Sequence, residues 1–386
     1  MFLDRLLATN PALADLALAW EREAVIEPDT YVLDLDAICE NARAMKAEAD
    51  SFGISLYFML KQIGRNPLVG RALAREGLAG AVCVDWREAL VLARAGVPLG
   101  NVGHLVQTPV SALAPILAAR PEVMTVYSVE KARQIGEEAT RQGFEQPVLL
   151  RVLDEGDTLY SGQYGGFALD GLERSVDELE AARGVRIAGA CSFPCFLFSE
   201  RTGEVEELHN AATVRRAVRA LEARGYEGLQ ANMPSVSCAH TVPLAARAGA
   251  THLEPGHGLT GTTPYHASHP DACERVAYAY VSEVSHSLDG GSFCFGGGHY
   301  RRGHVHGAVV GQSVETAARM AVTPPTDESI DYHFALSGVA PVGAPVLMCF
   351  RTQVFVTRSE VAVVSGLSSG APALEGVFDS QGRRLR

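Results

Sequence analysis

A chain of 386 residues, 47% hydrophobic and 20% charged, carries ample apolar material for packing and is longer than one core usually supports. Its formal net charge of -12 argues against a nucleic-acid partner and against an anionic membrane surface. Eight cysteines without regular spacing, Cys191 and Cys195 included, give no zinc-finger pattern, and free thiols in a cytoplasmic protein are expected.

The opening MFLDRLLATNPALADLALAW is apolar, but Asp4, Pro11 and Asp15 interrupt it and no basic leader precedes it. It reads as an amphipathic helical extension over 1–27, lying outside the main fold. No run of about 18 apolar residues occurs, so no membrane span is expected.

From residue 54 short apolar runs alternate with amphipathic stretches. The runs are SLYFML, GAVCVD, NVGHLV, VMTVYS, PVLLRVL, VRIAGACSF, GLQANMPS and THLEPG. Each suits a strand buried on both faces. Segments such as DWREALVLARAG and VEKARQIGEEATRQG between them show helical spacing and end on Gly. Eight such units predict a (β/α)8 TIM barrel within 28–271, and no G-x-G-x-x-G follows the first strand as a dinucleotide fold would want. Beyond residue 272 the texture changes to β-type runs broken by Gly and Pro, which predicts a second, all-β domain over 272–386. The earlier segment DTYVLDLDAI could pair with that domain.

Sites in such barrels lie where strands end. The polar residues there are Lys61, Asp85, His104, Ser128, Arg151, Ser192, Asn232 with Ser235, and Glu254. Lys61 stands apart by count. Of 33 basic residues only Lys46, Lys61 and Lys131 are lysines, leaving thirty arginines. Lys46 and Lys131 fall on helical faces, whereas Lys61 follows an apolar strand. A primary amine can lose its proton and form an imine, which guanidinium cannot.

A first strand ending in a lone lysine, an eight-stranded barrel and a trailing β domain together resemble the fold-type III pyridoxal-phosphate enzymes of the alanine racemase type. YVLDLDAICENARAM, VCVDWREALVLARAGV, HLEPGHGLTG and RTQVFVTRSEVAVV resemble family segments over nearly the whole chain. The likeness is to an uncharacterised bacterial branch.

The resemblance implies pyridoxal 5'-phosphate as a Schiff base on Lys61, which also serves as base on one face of the substrate α-carbon. It implies a phosphate site from Gly256, His257 and Ser235, with a charge from Arg65, and Asn232 among the cofactor contacts. Glu254 stands where alanine racemase has an arginine facing the ring nitrogen, as in the decarboxylase branch. Phe193 takes the place of the family's stacking imidazole. Arg151 and Gln163 could hold the phenolic oxygen or the substrate carboxylate. The second acid/base is expected at Tyr300, with His299 in reserve, from the β domain of a second copy, which implies a homodimer. Amino-acid racemisation is the expected reaction. A decarboxylase or a lyase of the D-amino-acid dehydratase or aldolase type is the alternative that Glu254 favours.

Other readings compete. His304-Val-His306, with His299 nearby, could put two imidazoles on one strand face for a metal, although no carboxylate or Cys stands at ligand spacing and none is expected. A non-enzymatic cofactor carrier would lack so large a β domain. A barrel with a different ligand and a structural Lys61 would never take up the cofactor.

Overall fold

The computed structural model describes residues 2–386. Two compact units divide the chain: one comprises 42–60 and 67–256, the other the residues up to Asn41, Lys61–Asn66 and His257–Arg386.

The first unit is the barrel. Its strands, in chain order, are Ser55–Met59, Gly80–Cys83, Leu99–Val102, Val123–Val126, Gln146–Leu153, Val185–Cys191, Gln230–Asn232 and His252–Leu253. All pair in parallel, in the order fourth, third, second, first, eighth, seventh, sixth, fifth, and the fourth also pairs with the fifth, closing the ring. These are the eight apolar runs of the sequence. GAVC and VMTV are buried at every position, as parallel strands covered by helices should be.

Two of the barrel helices begin at side-chain caps. Asp85 accepts from Glu88 N at 2.9 Å to start Trp86–Arg94, and Ser128 accepts from Lys131 N at 3.3 Å to start Val129–Arg141. Two of the barrel-end polar residues are thereby accounted for as caps. Where the strands begin, Tyr57 Oη donates to Glu122 Oε1 at 2.7 Å and receives Gln230 Nε2 at 2.9 Å, a polar plug under the core.

The second unit is built on a nine-stranded sheet in which Tyr278–Leu288, Thr30–Asp34 and Glu360–Ser365 are consecutive neighbours. Thr30–Asp34 runs antiparallel to Tyr278–Leu288 and parallel to Glu360–Ser365, so DTYVLD does belong with the β strands.

The N-terminal segment departs from its expected place outside the fold. It forms two helices, Phe2–Thr9 and Pro11–Arg22, and Leu3, Leu6, Leu13 and Leu18 are buried. The second helix packs on Tyr278–Leu288 and Pro345–Met348. Asn10 caps it and also donates to Asp34 Oδ2 at 2.8 Å, which ties it to the sheet. An amphipathic helix buries its apolar face wherever a sheet offers one. Among the described residues no helix is long and apolar enough to cross a membrane.

Candidate functional site

Inside the barrel, side chains from the third and seventh strands and from the loop after the third converge on Glu254, which directly follows the eighth strand. Its Oε1 accepts from Asn101 Nδ2 at 3.0 Å and from Asn232 Nδ2 at 2.8 Å. Its Oε2 lies 3.6 Å from His104 Nε2. Asn101 Oδ1 in turn accepts from Thr125 Oγ1 at 2.8 Å. All of these side chains are buried. The neighbouring Cys191 thiol is pushed up to about 12, first by burial and then by the Glu254 charge.

Arg151, wholly buried on the fifth strand, donates from Nη1 to Tyr127 Oη and from Nη2 to the Gln163 carbonyl, both at 2.8 Å. Tyr127 Oη donates onward to the His104 carbonyl at 2.8 Å. Gln163 therefore meets Arg151 through its main chain. Phe193 sits edge-on to His104 with ring centroids 5.7 Å apart, and equally far from Tyr160. Ser192 receives Asn210 Nδ2 at 3.1 Å. Ser235 and Val236, in the loop after the seventh strand, hold φ of 112° and 45°, a strained turn for non-glycine residues.

The buried polar atoms of this unit that have no hydrogen-bond partner among the described residues include Arg151 Nε, Asn232 Oδ1 and Ser237 Oγ. Buried polar groups are nearly always paired, so the barrel suits a guest bringing its own donors and acceptors. A carboxylate, a guanidinium, amides and loop hydroxyls form a donor set that fits a phosphorylated pyridine.

The second unit holds the Lys61 segment. Lys61 opens a short 3-10 turn, Lys61–Ile63, followed by Gly64 and Arg65 at φ of 76° and 54°. Arg65 is buried, donates to Gln381 Oε1 at 2.7 Å and lies 4.9 Å over the Phe355 ring. His257 Nδ1 is 3.1 Å from Thr262 Oγ1 and its Nε2 is 3.3 Å from Gln353 Nε2. Burial holds this imidazole well below the usual histidine range, and the positive charges of Arg351 and Lys61 push the same way, so it is neutral.

His299 and Tyr300 line a cleft of about 450 Å³ with the 325–331 loop and Val356. His299 N donates to Asp331 Oδ2 at 3.0 Å, and burial lowers the affinity of its ring for a proton. His304 and His306 are exposed and precede the strand Gly307–Val310 instead of sharing a face of it, because His304 turns the chain at φ 53°. Among the described residues no group of three or more His, Cys, Asp or Glu could hold a metal ion.

Residues 33–264 match the model of the alanine racemase N-terminal domain, and 279–374 match the YhfX-like C-terminal domain. The uncharacterised protein YhfX of Escherichia coli (strain K12) is 42% identical over 386 residues, the full length of both chains. The chain belongs to the alanine racemase-like family, in its YhfX-like branch.

Solved structures agree on the fold of this alanine racemase-like protein. Alanine racemase of Clostridium difficile 630 with cycloserine superposes at a TM-score of 0.67, with 16% identity over 92% of this chain and 99% of that one. D-threonine aldolase from Filomicrobium marinum gives 0.64, with 16% identity over 93% and 96%. D-threo-3-hydroxyaspartate dehydratase from Delftia sp. HT23 gives 0.66, with 17% identity over 90% and 97%. Members of the alanine racemase-like family typically use pyridoxal phosphate, and the racemase, aldolase and dehydratase structures share this chain's fold.

Sequence reasoning missed Asn101, Thr125, Tyr127 and Ser237. The first three lie within or beside apolar strands rather than in conspicuous loops. A lone asparagine inside LGNV was the one available signal, since barrel interiors are filled mainly by branched apolar residues.

Proposed function

We propose that this alanine racemase-like protein is a pyridoxal 5'-phosphate-dependent amino-acid racemase, with Lys61 carrying the cofactor and taking the α-proton on one face of the substrate. One observation carries the reading. Lys61 follows the first barrel strand after a single residue, Glu254 follows the eighth directly, and these strands pair in parallel, His252 with Ser55 and Leu253 with Leu56.

When bound, the cofactor supplies an electron sink for charge left on the substrate α-carbon. Glu254, whose Oε1 accepts from two amide donors, would hold a proton on the ring nitrogen. Ser235, Ser237 and the backbone amides of Gly256 and His257 bind the phosphate, with Arg65 adding positive charge and Asn232 a further cofactor contact. Arg151 receives the phenolic oxygen or the substrate carboxylate, and Phe193 covers the ring. Tyr300 of the partner subunit, with His299 in reserve, returns a proton on the opposite face, so the working form is a cytoplasmic homodimer. Eight free cysteines, seven of them buried, suit that compartment.

Glu254 also supports a second reading, decarboxylation or a lyase reaction, because a protonated ring serves those reactions equally. Incubation with a panel of amino acids in deuterated water separates the two. α-Deuterium in both enantiomers is the expected result, and release of carbon dioxide or ammonia would replace racemisation with the second reading.

A further inference from the structure

We infer that Asn101 and Thr125 are positioning residues that lock Glu254 across the barrel as a fixed anionic acceptor and so set the proton affinity of the ring nitrogen it faces. This deepens, and rests on, the reading of Glu254 given above.

Asn101 lies on the third strand, whose sheet neighbours are the second and fourth; Glu254 follows the eighth. Their 3.0 Å hydrogen bond therefore spans the barrel interior rather than a pair of adjacent strands. Burying an amide at 0% exposure costs least when both its ends are paired, and Asn101 meets that condition with Thr125 on one side and Glu254 on the other. The arrangement also has a direction. The Thr125 hydroxyl donates to Asn101 Oδ1, which leaves the amide N–H to point at the carboxylate; a flipped amide would set its oxygen against Glu254. Asn232 delivers its N–H to the same oxygen from the seventh strand. With Oε1 saturated by two donors, the carboxylate cannot rotate without breaking both.

Other groups lie near this acceptor. His104 Nε2 is 3.6 Å from Oε2, and Cys191 Sγ is 3.9 Å from Thr125 Oγ1. Arg151 opposes the rise of the Cys191 thiol that burial and Glu254 cause, and burial keeps that thiol protonated. Tyr57 is held in its neutral form mainly by burial, with Glu254 a minor contributor. The two asparagines are both neutral amide donors to one oxygen of the carboxylate.

The test reconstitutes wild type, Asn101→Leu, Thr125→Val and Thr125→Ser with pyridoxal 5'-phosphate and follows the absorbance of the dialysed proteins against pH, alongside their melting temperatures. A carboxylate that loses a donor binds a proton more tightly. Asn101→Leu is therefore expected to raise the spectral midpoint by about one pH unit. Thr125→Val should move it less in the same direction, and Thr125→Ser should restore it. A merely structural role would lower the melting temperature and leave the midpoint where it was, which overturns the inference. Should Asn101→Leu fail to fold, equal midpoints for Thr125→Val and Thr125→Ser would overturn it as well. A wild type that takes up no cofactor would fail at the earlier step, sinking the reading of Glu254 and this inference together.

Discussion

Asp29 and Gly297 approach so closely that a Cβ on the glycine would stand 1.8 Å from Asp29 Oδ2. Asp29 Oδ1 accepts from Tyr280 Oη at 2.8 Å and from Ser359 Oγ. The next glycine is held too: Gly298 O accepts from Tyr31 Oη at 2.7 Å, and a Cβ there would meet the Tyr280 ring at 2.4 Å. The glycine run before His299 and Tyr300 is therefore clasped by buried polar groups rather than left loose.

Gly297→Ala should destabilise the protein by roughly 2 kcal/mol or more, since the methyl group collides with Asp29 and φ at this position is 134°. Asp29→Ala in the same chain should recover part of that loss. Thermal unfolding of the single and double variants checks both, and an unshifted melting temperature for Gly297→Ala would contradict the clasp.

Stability should fall as pH rises through neutrality. Burial raises Asp29 from 3.8 to about 7 against hydrogen bonds from Ser359 and Tyr280 and the charge of Arg358, and it raises Glu21 from 4.5 to about 7, helped by Glu283. A carboxyl whose folded pKa is raised contributes fully below its ordinary pKa, and that contribution is lost as pH climbs through the folded value. Each group is worth roughly 1–2 kcal/mol after solvent screening. Denaturant unfolding at about pH 5 and about pH 8 should show a smaller difference for Asp29→Asn with Glu21→Gln than for wild type.

Tyr300→Phe should reduce racemisation by about 100-fold or more, the usual share of a general acid, while α-proton exchange with retention at the Lys61 face persists. Equal loss of both activities would assign Tyr300 to binding instead, and full racemisation would move the role to His299.

The fold was largely legible because eight strands buried on both faces leave eight apolar runs, and the trailing β strands leave Gly- and Pro-punctuated ones. Lys61 stood out because it is one of three lysines and follows such a run, and Glu254 because its segment HLEPGHGLTG resembles a family motif. Asp85 and Ser128 looked the same in sequence yet cap helices, since N-cap chemistry and site chemistry both favour polar residues at strand ends. Asn101 hid because its partners are 24 and 153 residues away, a pairing made only by barrel closure. The N-terminal helices were misplaced for a related reason: the spacing of Leu6, Leu13 and Leu18 shows an apolar face but not the sheet that buries it.

Borohydride reduction of the purified protein after incubation with pyridoxal 5'-phosphate, followed by peptide mass analysis, tests the central proposal most directly. The account predicts a yellow protein that bleaches on reduction and carries the added mass of the reduced cofactor on Lys61, with no such adduct in Lys61→Ala. A colourless protein, or an adduct confined to Lys46 or Lys131, would contradict it.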